Sequence, residues 1–181
     1  INDAHLNGLT AMAVHDNITV TGGMTGDICV WNIDSRVHSL VATLKEHHQR
    51  ISQIKFNADG SEFVTASQDG SVILWETSKL VSKQRFLAQT FFNGVDIHHD
   101  TAIIVTVSSD KRLIFWDAFN ASIIRELEAS LYSPPNSLCI SPDGRYIATG
   151  GDDKIVKVWD FQTGEVIAEG KGHCGNIKKV L

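Results

Sequence analysis

The stretch SQDGSVILWE, residues 67–76, places Asp69 six positions before Trp75, at the end of an apolar run. The run is rich in branched aliphatic residues and is typical of a buried β-strand. The same spacing returns in two later stretches, SSDKRLIFWD (Asp110 and Trp116) and GDDKIVKVWD (Asp153 and Trp159). A catalytic acid is normally used once in a protein, whereas a structural residue is used once in every repeat. The recurrence therefore indicates that Asp69 supports the fold.

Tryptophans divide the chain at regular intervals of 44, 41 and 43 residues, at Trp31, Trp75, Trp116 and Trp159. A fixed period in the low forties indicates a repeat architecture. Ten residues before each tryptophan lies a threonine: Thr21, Thr65, Thr106 and Thr149. Two columns in register show that the repeat runs through the whole chain.

The second unit shows the internal pattern of the repeat most clearly. Four stretches are predicted as strands a to d: RISQIKF, EFVTAS, SVILWE and KQRFLAQ. The turns NADGSEF (57–63) and SPDGRYI (141–147) contain Asp-Gly, which supplies the left-handed residue that a tight hairpin requires. Each unit is therefore predicted to be a short antiparallel meander, and the chain almost pure β structure.

These columns resemble the WD-repeat β-propeller family. The triplets FWD (115–117) and VWD (158–160) close third strands, and GH (172–173) opens a unit. The resemblance implies an all-β propeller segment of four blades, each a twisted sheet of four antiparallel strands packed against its neighbours. The predicted repeats are 5–44, 45–87, 88–130 and 131–171, followed by the first strand of a fifth blade within 172–181. We expect this segment to be part of a seven-bladed propeller.

In that family, histidine, serine or threonine, aspartate and tryptophan form a hydrogen-bonded relay inside each blade. Indole N–H can only donate, hydroxyl and neutral imidazole can donate and accept, and carboxylate can only accept. In the series Trp75, Thr65, His47 and Asp69, every donor can therefore find an acceptor. Each bond is expected to contribute on the order of 1 kcal/mol of stability.

Only the second blade is predicted to hold a complete relay. The first blade has His5, Thr21 and Trp31, but Thr25 occupies the aspartate position and Asp27 is expected to point elsewhere. The third blade keeps Thr106, Asp110 and Trp116, with Ala88 at the histidine position, and the fourth keeps Thr149, Asp153 and Trp159, with Leu131 there. His173 would begin the relay of the next blade.

Three other motifs could suggest chemistry, and each has a structural explanation. A His-Thr-Asp set could suggest a hydrolase, but Thr65 lies within a predicted strand rather than beside an oxyanion hole. Adjacent histidines on a strand point to opposite faces, so HHD (98–100) and the pair His47 and His48 are not predicted to bind a metal. HHDT is predicted to be the a–b turn of the third blade.

The glycine-rich stretches GGMTGD (22–27) and TGGDDK (149–154) lack the lysine and the following helix of a phosphate-binding loop. They are predicted to be b–c turns. We therefore predict no catalytic residue, no cofactor and no metal, and classify the protein as a non-enzyme without a small-molecule substrate.

The composition narrows the range of partners. There are 16 basic and 21 acidic residues, a net charge of −5, so no basic stripe favours nucleic acid or an anionic membrane surface. No apolar run approaches the roughly 20 residues that span a bilayer. Three scattered cysteines, Cys29, Cys139 and Cys174, indicate reduced thiols in an intracellular protein. Because the chain begins at Ile1, we expect it to be a segment of a longer polypeptide.

Several stretches are similar to the cilia- and flagella-associated protein 52 family, whose members are WD-repeat proteins of motile axonemes. These stretches are VTASQDGSVILW, RLIFWDAFNASIIRELEAS and ATGGDDKIVKVWDFQTGEVIAEGKGHCGNI. The resemblance implies two tandem propellers, of which this segment lies in the second, and location in the cytoskeleton of cilia and flagella. It also implies contact with tubulin and other axonemal proteins inside doublet microtubules, as a scaffold that supports motility.

Two other classes of WD-repeat protein remain as alternatives. Substrate receptors of ubiquitin ligases often carry Trp-Asp-any-Arg after strand c, whereas this chain has WDAF and WDFQ. The second alternative class is a general signalling scaffold. For any of these, the candidate partner contacts are loop and turn residues outside the relay: Lys45, Arg50, Lys111, Arg112 and Lys154. Since the net charge gives no general attraction to acidic tubulin, local complementarity would decide docking.

Overall fold

The computed structural model describes His5, residues 7–34 and residues 38–181. Within these residues every regular element is a strand, and sixteen strands form four antiparallel sheets of four in chain order. The predicted all-β fold with four-stranded blades is confirmed. No described segment forms a helix that could cross a membrane.

The strands of each sheet follow one another without crossovers. The first sheet contains β1 (Leu9–His15), β2 (Ile18–Gly23), β3 (Ile28–Ile33) and β4 (His38–Leu44). The second contains β5 (Ile51–Phe56), β6 (Glu62–Ser67), β7 (Ser71–Glu76) and β8 (Val81–Leu87). The third contains β9 (Phe92–Ile97), β10 (Ile103–Ser108), β11 (Arg112–Asp117) and β12 (Ile123–Glu128). The fourth contains β13 (Pro135–Ile140), β14 (Tyr146–Gly151), β15 (Ile155–Asp160) and β16 (Val166–Lys171).

Local sequence explains most of these boundaries. Gly60 and Gly144, the glycines of the two Asp-Gly turns, both have φ of +70° and close a–b hairpins as predicted. Strand β8 starts at Val81, two residues before the predicted position. The reason is the preceding turn, in which Leu80 has φ of +55° and its N–H donates to the carbonyl of Glu76 at 2.9 Å.

Consecutive sheets pack face to face through three apolar clusters. In each cluster the tryptophan of one blade packs against the sheet of the blade before it. Trp75 lies in the cluster with Val20 and Val30, Trp116 in that with Val64 and Leu74, and Trp159 in that with Val105 and Phe115. The first strand of each sheet lies innermost, because β1, β5, β9 and β13 contact one another in order.

The innermost strands are also joined by a polar side chain that reaches across two blades. The Gln53 carboxamide accepts a hydrogen bond from the N–H of Val95 at 3.3 Å and donates to the carbonyl of Leu138 at 3.5 Å. Nearby, Asp96 pairs with Lys55 at 3.3 Å and accepts from the N–H of Ile140 at 3.0 Å. These bonds tie the second, third and fourth sheets together around the axis.

Gly94 leaves the room that the Gln53 side chain needs. A Cβ at this position would lie 2.9 Å from Gln53 Oε1 and 3.0 Å from a Val107 methyl group. We expect Gly94→Ala to lower the free energy of unfolding by about 1 to 3 kcal/mol, because overpacking forces neighbours apart. Gly170→Ala is the control, since its Cβ would meet only ordinary contacts at 3.7 Å or more. Urea unfolding checks both variants, and equal midpoints would contradict the prediction.

Residues 172–181 form no strand, although the first strand of a fifth blade was predicted there. A strand requires a ladder of backbone bonds, and here Ile177 N–H donates to the carbonyl of Gly151 while Val180 N–H donates to the Ser137 hydroxyl. Ile177 nevertheless packs against Gly150 as Ile51 packs against Gly22. The segment therefore has the side-chain packing of an inner strand without its ladder.

Candidate functional site

The second blade brings the four predicted relay residues into one hydrogen-bonded series. Trp75 Nε1 donates to Thr65 Oγ1 at 2.9 Å, and Thr65 Oγ1 lies 2.8 Å from His47 Nε2. His47 Nδ1 lies 3.1 Å from Asp69 Oδ2. The indole and the threonine are fully buried. The series therefore links strands β6 and β7 to the loop before β5 and to the b–c turn.

The carboxylate fixes the direction of each bond. Because Asp69 can only accept, His47 Nδ1 carries the proton, and His47 Nε2 then accepts from the Thr65 hydroxyl. Asp69 also accepts from the Ser71 hydroxyl at 2.6 Å and from the N–H of His48 at 2.9 Å. Burial raises the pKa of Asp69, but hydrogen bonds from His47, Ser71 and the His48 backbone outweigh it. The pKa of this carboxyl therefore lies well below its ordinary value.

The first blade contains a second complete series, which corrects the sequence prediction. His5 Nε2 lies 2.8 Å from Thr21 Oγ1, Trp31 Nε1 donates to Thr21 at 2.9 Å, and Asp27 contacts His5 Nδ1. Asp27 was expected to point elsewhere, and this was wrong. Thr25 donates to Asp27 just as Ser71 donates to Asp69. Compared with the second blade, the hydroxyl residue and the carboxylate residue of the first blade have exchanged positions within the b–c turn.

This exchange predicts a compensating double substitution. We expect Asp27→Ala to lower the free energy of unfolding by about 1 to 2 kcal/mol, because it removes the acceptor of a largely buried imidazole. Thr25→Asp combined with Asp27→Ser reproduces the order found at Asp69 and Ser71, so most of the stability should be retained. Thermal unfolding of both variants tests this, and a double variant no more stable than Asp27→Ala would count against exchange.

The third and fourth blades keep the indole bond without a histidine. Trp116 and Trp159 donate to Thr106 and Thr149, each at 2.9 Å. Asp110 accepts instead from Ser108 at 2.5 Å, and Asp153 from Ser130 at 2.7 Å. Leu131, predicted at the histidine position, is 67% exposed, whereas the preceding residue, Ser130, is buried and bonds the carboxylate. A hydroxyl beside the expected position was the signal that sequence reasoning missed.

One group of potential metal ligands occurs among the described residues. A ligand atom of each of His5, Asp27 and Cys29 lies within 4.8 Å of the others. Burial raises the pKa of the Cys29 thiol, and the nearby Asp27 raises it further. A protonated thiol is a poor ligand, and hydrogen bonds of the relay already engage His5 and Asp27. The relay explains this cluster without an ion.

The histidine pair of the third blade lies in the predicted a–b turn, but its side chains do not point to opposite faces as expected. The rings of His98 and His99 stack at 4.9 Å with 10° between their planes, because both lie in the a–b turn after β9. His98 Nε2 donates to the carbonyl of Gly144 at 3.1 Å, and Nδ1 accepts from the N–H groups of Asp100 and Thr101. Both ring nitrogens are engaged, so His98 serves as a bond between blades three and four.

All five candidate contact residues lie at one edge of the sheets. We call this edge the loop face; it consists of the b–c turns and the d-to-a connections, residues 24–27, 45–50, 68–70, 88–91, 109–111, 129–134 and 152–154. Lys45, Arg50 and Lys154 are exposed. Lys111 donates to the carbonyl of Leu131 at 3.1 Å, and Arg112, at the start of β11, pairs with Asp110 and Glu126. Among the described residues, no ion pair or side-chain hydrogen bond involves Lys45, Arg50 or Lys154, so these cations can meet a partner.

Comparison with known proteins agrees with this geometry. The family model "WD domain, G-beta repeat" matches residues 38–76, 83–117 and 122–160. The chain is 40% identical to cilia- and flagella-associated protein 52 of Sus scrofa, 39% identical to that of Homo sapiens and 35% identical to that of Chlamydomonas reinhardtii. Each alignment covers 99% of this chain. The chain spans 29% to 30% of the length of these relatives.

Four successive antiparallel sheets, an indole-to-threonine bond in each, and a family match over more than half of the residues lead to one conclusion. The chain belongs to the WD-repeat family.

Proposed function

We propose that this chain is part of a non-catalytic scaffold protein of cilia or flagella, located in the axoneme and bound inside its doublet microtubules. The similarity to cilia- and flagella-associated protein 52 over 99% of the chain is the observation that carries this proposal. In this role the sheets form a rigid support, and the loop face contacts tubulin and neighbouring axonemal proteins.

The chemistry of the relay supports a scaffold rather than an enzyme. Thr65 has the neighbours of a nucleophile, but it is fully buried and accepts the Trp75 indole bond at 2.9 Å. A nucleophile must reach substrate. The same bond recurs in the other three blades, each at 2.9 Å. Recurrence at every blade fits a bracing role, which each sheet needs.

The loop face supplies contacts suited to a protein partner. Lys45 and Lys154 are exposed, and Phe91, Leu131 and Tyr132 expose large apolar side chains on the same face. Aromatic residues and cations of this kind are frequent at protein interfaces. Because the chain has a net charge of −5, such local groups would decide where an acidic partner docks.

Fractionation of axonemes tests the proposal on the full-length native protein. Axonemes are isolated, membranes are removed with detergent, and the remaining doublets are washed with concentrated salt. We expect the protein to stay with the doublets, since proteins enclosed in the lumen resist extraction. Release into the first detergent extract would contradict the proposal. Recovery with a ubiquitin-ligase adaptor after affinity purification would support a substrate receptor instead.

A further inference from the structure

A groove of about 670 Å³ lies between the third and fourth blades, at the edge of the sheets opposite the loop face. We call this edge the turn face, because the a–b turns and the c–d turns form it. The groove is lined by the a–b turns of both blades, by the c–d turn of the fourth blade and by strands β10 to β12. Its volume lies within the range of about 300 to 1,000 Å³ that is typical of ligand pockets. None of the relay residues lines it.

The apolar lining of this groove has a polar counterpart one blade earlier. Between the second and third blades, a cavity of about 360 Å³ is lined by Glu62 and Lys83, whose side chains form an ion pair. Counted from the threonine and the tryptophan of each blade, the same two positions in the third blade hold Ile103 and Ile124. The groove between the third and fourth blades is therefore larger, and its lining offers apolar surface where the earlier one offers an ion pair.

Aromatic rings form the floor of the groove. Phe115 is buried, and its ring lies 5.5 Å from that of Phe161. At the rim, Ile124 is 54% exposed and Tyr146 is 39% exposed. The Arg125 guanidinium lies 4.1 Å over the Phe115 ring, and it donates to the carbonyl of Phe161 at 2.7 Å and to the next carbonyl at 3.0 Å. This arginine joins the two blades, so its N–H groups are already engaged.

The turns that flank the groove are mostly acidic. Four carboxylates lie on them: Asp100, Asp143, Asp160 and Glu165. The same turns contain one cation, Arg145, at 3.9 Å from Asp143. Hydrogen bonds from Ser141 to Asp143 and from the Thr163 backbone to Asp160 lower the pKa of both carboxyls. A rim of this charge attracts cations and repels phosphate groups.

We propose that this groove binds a basic segment of a partner protein. A large aliphatic side chain of the segment packs against Ile124, Tyr146 and Phe161, and the flanking lysines or arginines lie beside Asp143 and Asp160. Charge complementarity selects this occupant, because the apolar lining suits a nonpolar side chain and the acidic turns suit positive charge next to it. Since the candidate cations lie on the loop face, the two edges of the sheets would serve partners of opposite charge. The inference goes beyond the proposed function and does not depend on it.

Binding of a fluorescent peptide to the purified full-length protein tests this site. The probe is a short peptide with one leucine flanked by lysines, and two control peptides replace the lysines by glutamates or the leucine by alanine. We expect each replacement to weaken binding about tenfold or more, because one removes the charge attraction and the other the apolar contact. Equal or tighter binding of either control peptide would overturn the proposal.

A substitution in the apolar lining places the site on the protein. Ile124→Lys introduces the residue type that the second blade holds at this position, and we expect the affinity for the probe to fall about tenfold. The matched control is Val41→Lys at the equivalent position of the first blade, where Val41 is 56% exposed. This variant makes the same charge change and should bind the probe within about twofold of wild type. Both side chains are more than half exposed, so both variants should keep the wild-type thermal midpoint.

Asp143→Asn tests the charge of the rim without altering the apolar lining. The amide oxygen of asparagine can still accept hydrogen bonds, so the turn should persist. We expect the affinity for the probe to fall several-fold. Asp59→Asn is the control, because Asp59 accepts from the N–H two residues onward as Asp143 does, at 3.0 and 3.1 Å, but lies in the a–b turn of the second blade. Its affinity should change less than twofold.

Three further results would overturn the proposal. These are equal losses in Ile124→Lys and Val41→Lys, equal losses in Asp143→Asn and Asp59→Asn, and a dimer in light scattering that Ile124→Lys abolishes. The last result would assign the groove to a second copy of the protein. The peptide assay contains no axonemes, so its failure would leave the axonemal proposal standing.

Discussion

Replacement of Trp75 by alanine is expected to lower the free energy of unfolding by about 3 to 5 kcal/mol. The side chain is fully buried, stacks on Phe63 with ring centroids 5.8 Å apart, and packs against the first sheet. Its loss would leave a cavity between two sheets and would remove the indole donor to Thr65. Equilibrium unfolding in urea, followed by circular dichroism, measures the change.

Two further variants separate the contribution of the indole N–H from that of the buried apolar volume. Trp75→Phe keeps most of the apolar volume but removes the indole N–H, so we expect a smaller loss of about 1 to 2 kcal/mol. Phe119→Ala removes an aromatic ring that is 83% exposed, and its effect should stay within about 0.5 kcal/mol. A Trp75→Ala variant that unfolds at the wild-type urea concentration would show that the indole does not brace the sheets.

The second large effect is expected for Asp69→Ala, with a loss of about 2 to 3 kcal/mol at neutral pH. This carboxylate accepts bonds from His47, Ser71 and the backbone of His48, and its side chain is only 9% exposed. Without it the fully buried His47 imidazole loses its charged acceptor. Ser71 lies 2.9 Å from His47 Nδ1 and can replace part of that bond.

The lowered pKa of Asp69 also predicts how the free energy of unfolding depends on pH. Since folding lowers the pKa of Asp69, its contribution is complete above the ordinary aspartate value of about 3.9. The contribution is lost as the pH falls from there toward the folded-state pKa. We therefore expect Asp69→Asn to unfold with a weaker pH dependence than wild type below about pH 4. Asp100→Asn, whose side chain is 75% exposed, is the control. Parallel pH profiles for all three proteins would refute this assignment.

The sequence predicted what repeats and missed what depends on distant contacts. Spacing between threonine and tryptophan gave the indole bond correctly in every blade, because both residues lie on paired strands whose register fixes their separation. Asp27 was missed because the aspartate position was counted from tryptophan. Counted from histidine, Asp27 and Asp69 both lie 22 residues onward. The spacing from histidine, rather than the spacing from tryptophan, therefore identifies the aspartate of both relays.

Other contacts had no local signal. Gln53 sits 85 residues before its partner Leu138, and nothing in the intervening chain indicates that the two would meet. Ser130 bonds Asp153 from a neighbouring position because a loop without regular pairing can shift by one residue. Arg50 was named as a candidate contact, but no local pattern indicated that it would line one cavity with Lys178 and Lys179.

The Gln53 carboxamide also bears on how the molecule opens. Its two bonds, with the Lys55, Asp96 and Ile140 contacts, make it difficult for any one of three sheets to separate while the others stay closed. Local opening in proteins follows such cooperative units. Sheets two to four should thus exchange their amide hydrogens together. A thermal fluctuation that begins in one of these three sheets would then be shared with the other two through the Gln53 bonds.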